Sequence, residues 1–296
     1  MLDLLSLLKK APLPDKRLRS RAHLLVQSLV RGHSATSHGL LSPADRKPES
    51  FTRASYRFLD NDSVSLPALQ TPVAQALAQL IPKGQRAFVA HDVSVLNFSG
   101  HQAKQDLIPV GNDRTFGYEL YQALVISSDG KPLGSAVTEL RNNQGLHCSH
   151  TAQILPFIDH LEQTERAVEI TERLLPDREL VHLCDREFDD LKLLLQIRTR
   201  LSVIRCQHLK RRVKVHGDDR SLEHQVDCAK LHPAGEVLRR QESKIERYDL
   251  WIGETRVTMC GLSRRGVANK QRKPESGDAL SVRVVVSELR RQGHKT

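Results

Sequence analysis

A chain of 296 residues, 39 % hydrophobic and 27 % charged, has the composition of an ordinary folded protein of about two domains, which excludes a disordered or low-complexity polymer. No apolar stretch reaches the roughly 18 residues needed to span a bilayer, and the leucine-rich start Met1–Lys10 is too short for a secretion signal, so a soluble, cytoplasmic protein is expected. The net charge of +10 is unevenly spread: residues 1–58 carry 11 Lys/Arg against 4 Asp/Glu, residues 59–204 carry 13 against 19, and residues 205–296 carry 21 against 12. An acidic middle between basic flanks suits modules that grip a polyanion around a centre that binds cations.

In chain order, residues 17–30 read as a basic amphipathic helix, with Leu24, Leu25, Leu29 and Val30 among Arg17, Arg19 and Arg21. Residues 31–50, rich in Ser, His, Pro and Arg, read as a loop. Thr71-Pro72 predicts an N-cap and an N1 proline, opening a helix with Val73, Leu77, Leu80 and Ile81 on one face, closed by Pro82-Lys83-Gly84. Residues 86–92 are an apolar strand, residues 117–126 a second, and 132–139 a third, the last two joined by the hairpin turn Ser128-Asp129-Gly130-Lys131. Residues 152–175 read as a helix, with Leu161, Val168 and Leu175 spaced by seven and Pro176 beyond. A strand over 180–185, a helix through Leu191, Leu194 and Leu195, and a strand Leu201–Ile204 make a βαβ unit with parallel strands. After Arg205 the pattern becomes short alternating stretches, Val213/Val215, Leu250/Ile252, Val257/Met259 and Val282/Val284/Val286, which read as an antiparallel β module.

Five cysteines, Cys148, Cys184, Cys206, Cys228 and Cys260, with no Cys-x-x-Cys, argue against a disulfide framework or zinc ribbon. His147-Cys148-Ser149-His150 has metal-binding residue types but lacks partner spacing, and reads as a loop.

The chemistry-bearing residues are two aspartates. Asp92 ends the apolar run Ala87–His91, and Asp185 ends the run Leu180–Cys184. Ligands of α/β sheets sit beyond the carboxyl ends of strands. A lone strand-end aspartate usually caps the next turn. Two in one sheet, inside an acidic middle with basic flanks, can bridge divalent cations, and carboxylate oxygens favour Mg²⁺ or Mn²⁺ over zinc. Metal ions so held activate a water or a 3′-hydroxyl for in-line phosphoryl displacement.

The local sequences carry a resemblance. His91-Asp92-Val93-Ser94 through Asp106-Leu107-Ile108-Pro109-Val110-Gly111-Asn112 and Gly117-Tyr118 resembles the first-aspartate block of bacterial DDE transposases of the insertion-sequence type 4 family. Cys184-Asp185-Arg186-Glu187 is similar to that family's second-aspartate block, and Tyr56–Asn61 with Val64-Ser65 is similar to the end of its N-terminal DNA-binding domain. The ordered blocks run over roughly residues 20–296. The resemblance implies an α/β, ribonuclease-H-like mixed-sheet core, an N-terminal helical domain and an inserted antiparallel β module, dividing the chain at 1–82, 83–204 and 205–296. It implies metal-dependent nicking and strand transfer on double-stranded DNA, at transposon ends and at the target, with Asp92 and Asp185 as catalytic metal ligands and Mg²⁺ or Mn²⁺ as cofactor. Val203-Ile204-Arg205 with Gln207-His208 resembles the strand exit bearing a DNA-contacting arginine, here Arg205, and Lys210-Arg211-Arg212 extends it into a cationic cluster that would neutralise phosphates.

One part of the pattern is missing. The family's third carboxylate lies in Tyr-x-x-Arg-x-x-x-Glu-x-x-x-x-x-x-Lys, whereas Tyr248 is followed by Trp251 at the arginine position, and Glu242, Glu246, Glu254 and Glu288 lack the pattern. The expectation is therefore a transposase whose core is incomplete in this chain, which binds DNA, cuts weakly or not at all alone, and associates with a full-length copy. The alternatives are a non-catalytic DNA-binding regulator of intact transposase, and a general ribonuclease-H-like nuclease that uses Glu187 or Asp189 as third ligand.

Overall fold

The basic amphipathic segment folds as expected. In the computed structural model, which describes residues 4–32, 48–101, 103–241, 244–260 and 279–292, helix α2 spans Lys16–Gly32, after a short α1 at Leu4–Leu8. Helix α3, Pro48–Leu59, and helix α4, Leu66–Leu80, follow. Their apolar faces meet in a cluster of Ala11, Leu13, Ala22, Leu25, Phe58 and Ala68. Residues 33–47 of the expected loop lie outside the described residues, and α3 begins inside its last part.

The start of α4 differs from the sequence expectation. Ser65, not Thr71, is the N-cap: its Oγ accepts from Ala68 N at 3.3 Å, and Pro67 takes the early position where a missing N–H costs nothing. Pro72 sits inside the helix, and the Thr71 hydroxyl donates to the Pro67 carbonyl at 3.0 Å. At the other end, Arg178 donates to the Ala78 and Ile81 carbonyls at 2.7 and 3.0 Å, capping groups that the helix leaves open.

A seven-stranded mixed sheet follows, of order β5-β4-β3-β1-β6-β7 with β2 added on β3. Its strands are β1 Arg86–Asn97, β2 Ile108–Val110, β3 Asn112–Ser127, β4 Pro132–Asn142, β5 Gly145–Cys148, β6 Glu179–Cys184 and β7 Leu201–Ile204. β1 is the junction: it pairs antiparallel with β3 on one side and parallel with β6 on the other, and β7 continues the parallel half. The hairpin turn lies where expected, with Gly130 at φ 87° and Ser127 N donating to Lys131 O at 2.9 Å. Helix α5, His160–Leu174, starts later than the periodicity suggests, because Asp159 is its N-cap and accepts from Glu162 N at 2.8 Å. Its buried Thr164, Ala167, Val168 and Thr171 make it the helix that links β5 to β6.

Gly117, opposite Asn97 on β1, has no room for a side chain: a Cβ there would lie 1.9 Å from the Leu96 carbonyl oxygen. Backbone cannot rotate away, so Gly117→Ala is expected to cost about 1–3 kcal/mol, as overpacking does. Urea unfolding of the variant against the parent checks this, and an unchanged midpoint would contradict it.

The molecule divides into two compact units, residues 1–188 with 199–204, and residues 189–198 with 205–296. The second holds helix α6, Leu191–Gln196, and a five-stranded antiparallel sheet of order β10-β11-β8-β9 with β12 on β11. Its strands are β8 Arg212–Val215, β9 Asp218–Ser221, β10 His232–Gln241, β11 Lys244–Cys260 and β12 Ala279–Arg291, with helix α7, Leu222–Asp227, after β9. The two stretches expected around Leu250 and Val257 are one 17-residue strand. Val213, Leu222, Val257 and Met259 form the core, joined by Leu191, Leu194, Val282 and Val284. No helix among the described residues is long and apolar enough to cross a membrane.

Candidate active site

Alternation along β1 and β6 decides which side chains reach solvent. Ala87, Val89 and His91 are buried on β1, and Leu180, His182 and Cys184 on β6, so the next residue of each strand faces out. The last parallel pair is His91↔Cys184. Asp92 and Asp185 are one step further on each chain, and both are exposed. Asp92 is not at the tip of its strand, as the sequence suggested: β1 continues to Asn97 because β3 pairs it from Ala87 to Asn97. What ends at this level is β6, so Asp92 sits where the sheet loses one neighbour. Ser94 Oγ donates to Asp92 Oδ2 at 3.0 Å, fixing that carboxylate.

A turn of 3-10 helix, Arg186–Phe188, follows Asp185, with Phe188 fully buried as its anchor. It brings Glu187 close. The Glu187 carboxyl is held above the usual glutamate value, first by loss of water around it; His160 opposes this, and the fields of Asp92, Asp185 and Glu119 add to it. Four carboxylates therefore share one neighbourhood. Glu119 is partly neutralised, by Arg141 at 2.7 Å and with His160 at 3.8 Å. Sequence reading passed over Glu119; closing the hairpin about Asp129-Gly130 pairs it with Arg141, which would have singled it out. Hard oxygen donors with mutual repulsion fit Mg²⁺ or Mn²⁺ by type. Among the described residues, the group of three His, Cys, Asp or Glu ligand atoms all within 4.8 Å of one another lies elsewhere, at Glu139, Cys148 and His150. The acidic cluster is thus more open than a closed three-ligand cage.

Behind Asp92 runs a buried polar chain that sequence reading missed. His91 Nδ1 is 2.7 Å from the Tyr121 hydroxyl, and His91 Nε2 is 2.8 Å from His182 Nδ1. Burial, then the neighbouring His182, pushes His91 down to about 3; burial, then Arg200, pushes His182 down to about 4. Both rings are neutral in the fold and take up protons near 6.5 when unfolded. Stability is therefore full above about pH 6.5 and is lost as pH falls towards about 4, at about 1.4 kcal/mol per pH unit for each histidine. Urea unfolding across this range checks the slope, and His182→Leu is expected to remove about one proton from it. A flat profile would contradict buried, neutral rings.

The cationic candidates divide. Arg205, Lys210 and Arg212 are exposed. Arg211 corrects the expectation of a phosphate contact: its side chain is 1 % exposed and is held by Asp189 Oδ1 at 2.8 Å. Asp189 is equally committed, because its Oδ2 accepts from Gln207 N and His208 N at 2.7 and 3.0 Å, so it has no oxygen left for a third metal ligand. Of the two in-chain alternatives, Glu187 alone stands with the aspartates.

A scan against protein-family models finds no match, and a search of curated proteins finds no relative.

Proposed function

We propose that this chain is a transposase of the DDE type, with a ribonuclease-H-like core, that binds the end DNA of an insertion sequence through its basic modules. The observation that carries the reading is the parallel β1–β6 register, whose last pair His91↔Cys184 puts Asp92 and Asp185 each one residue beyond it on neighbouring chains. The mixed sheet with β1 at its junction, the basic helix α2 and the antiparallel second unit support it, as do the sequence blocks around both aspartates.

A divalent cation held by Asp92 and Asp185 would supply charge neutralisation and a readily ionised water at a phosphodiester. The chain's own residues do the positioning. Ser94 orients Asp92, and Phe188 anchors the turn that carries Glu187. Exposed Arg205, Lys210 and Arg212 attract the phosphate backbone without reading bases. With two carboxylates of the family's set matched, the polypeptide is expected to bind DNA and to cut weakly or not at all by itself.

The openness of the acidic cluster favours a second reading, a DNA-binding regulator that occupies transposon ends and inhibits an intact transposase. One experiment addresses both. End-labelled duplex carrying the element's terminus is incubated with the chain and Mn²⁺. Retarded but intact DNA is expected, with log affinity falling linearly as log salt rises. Loss of one cation, by Lys210→Ala or Arg212→Ala, is expected to reduce that slope by about 1. Robust nicking abolished by Asp92→Ala would overturn the inactivity and establish the enzyme. No retardation would remove both readings.

A further inference from the structure

We propose that Glu139, Cys148 and His150 form a binding site for one Zn²⁺-class cation, independent of the paired aspartates. The antiparallel β4–β5 register sets Glu139 directly opposite Cys148. Beyond Cys148 the chain is clamped back on β4, Ser149 N donating to Thr138 O and Thr138 N to Ser149 Oγ, each at 2.9 Å. That clamp returns His150 to the same spot. The carboxylate, thiol and imidazole ligand atoms all lie within 4.8 Å of one another. Donors at zinc bond lengths in a tetrahedron are themselves roughly 3.4–3.8 Å apart. Only a small inward movement separates the trio from ligation.

Two details point to a cation. His150 Nδ1 is buried, makes no hydrogen bond, and faces Glu139 Oε1 at 3.8 Å. Glu139 is 0 % exposed, and its two oxygens are used unequally. Oε2 accepts from Gln163 Nε2 at 2.8 Å and Arg166 at 3.0 Å, Oε1 accepts from Arg166 Nε at 3.2 Å, and the Cys148 thiol also hydrogen-bonds the carboxylate. The oxygen with the longer Arg166 contact is the one that faces the unpartnered nitrogen. Gln163 and Arg166 then act as the outer hydrogen bonds that orient a ligating carboxylate. Sulfur and imidazole donors select zinc over the hard cations suited to Asp92 and Asp185. On binding, the Cys148 thiol releases its proton to solvent, neutral His150 offers its Nδ1 lone pair, and Glu139 offers a carboxylate oxygen. The thiolate offsets one of the ion's two charges, Glu139 shares its own between the ion and Arg166, and a fourth position stays open to water. The ion would tie the β4–β5 end to α5 through Gln163 and Arg166.

The test uses the full chain, reduced and stripped with chelator, titrated with Co²⁺. One equivalent is expected to bind with a thiolate-to-cobalt charge-transfer band that Zn²⁺ displaces. Cys148→Ser abolishes the band, and His150→Gln weakens binding at least about ten-fold, both with unchanged far-ultraviolet circular dichroism. Zn²⁺ also raises the melting temperature of the parent and not of His150→Gln. Exposed Cys206 and Cys228, the latter 3.7 Å from His224 Nε2, are the rival ligands. No band, or a band kept in both variants, overturns the proposal. If Cys148→Ser does not fold, His150→Gln decides, since that side chain is 21 % exposed and unchanged zinc affinity there overturns it equally.

Discussion

Replacing Arg211 with alanine is expected to destabilise the second unit by about 3–5 kcal/mol, because it leaves Asp189 as an unpaired charge away from water. The two side chains are 1 % and 3 % exposed, and besides the ion pair Arg211 donates to the Asp189 carbonyl at 3.1 Å. Burial pushes the Asp189 carboxyl up, but the backbone N–H groups of Gln207 and His208, with Arg211 and the Cys206 thiol, outweigh it and hold it below the usual aspartate value. A depressed carboxyl contributes stability that is present above its unfolded value near 3.9 and is lost as pH falls through the folded one. Arg212, next in sequence, is 64 % exposed and only 4.0 Å-paired with Asp219, so Arg212→Ala is expected to change stability by under about 0.5 kcal/mol. Under the proposed DNA-binding role, its effect would fall on DNA affinity instead. Urea unfolding of both variants beside DNA retardation separates the roles. An Arg211→Ala protein of parental stability with weakened DNA binding would reverse the assignment.

The second large effect concerns the paired aspartates. Asp92→Asn and Asp185→Asn are each expected to weaken Mn²⁺ binding at least about ten-fold, or about 1.4 kcal/mol, by removing a charged oxygen donor. In metal-free buffer the same variants are expected to hold or slightly raise the melting temperature, because each relieves the repulsion that adds to burial in lifting Glu187. A merely structural cap would behave oppositely, with lost stability and unchanged Mn²⁺ affinity. Calorimetric Mn²⁺ titration with thermal unfolding reads both.

The parallel half of the sheet was legible because its strands are continuous apolar runs with punctuated ends, as at Leu180–Cys184 and Leu201–Ile204. The hairpin at Asp129-Gly130 was legible because only glycine enters φ 87° without strain. Where two signals competed, the weaker local one misled. Thr71-Pro72 has the chemistry of a helix start, yet Ser65 and Pro67 have it too, and burial of Ala68 and Pro72 extends α4 back to them. The length of β1 beyond Asp92 came from its partner β3, which no local run encodes. At the site, Asp185 was visible as a strand exit and Asp92 was not, since β1 runs on past it, and their approach depends on a pairing about 90 residues apart in sequence. Glu119 reaches the site only through the hairpin. Arg211 looked like part of a solvated Lys210-Arg211-Arg212 run, and only packing distinguishes the one arginine that turns inward to Asp189.

If Asp92 and Asp185 hold a metal ion against the phosphate backbone of bound DNA, as proposed, a redox-active substitute for that ion will cut the DNA locally. Fe²⁺ replaces Mg²⁺ on the chain bound to terminal duplex, and ascorbate with peroxide generates hydroxyl radicals at the ion. Strand breaks are expected within a few nucleotides, absent from Asp92→Asn and Asp185→Asn proteins that still retard the same DNA. Breaks spread evenly along the duplex, or a focused pattern that survives both substitutions, would contradict it.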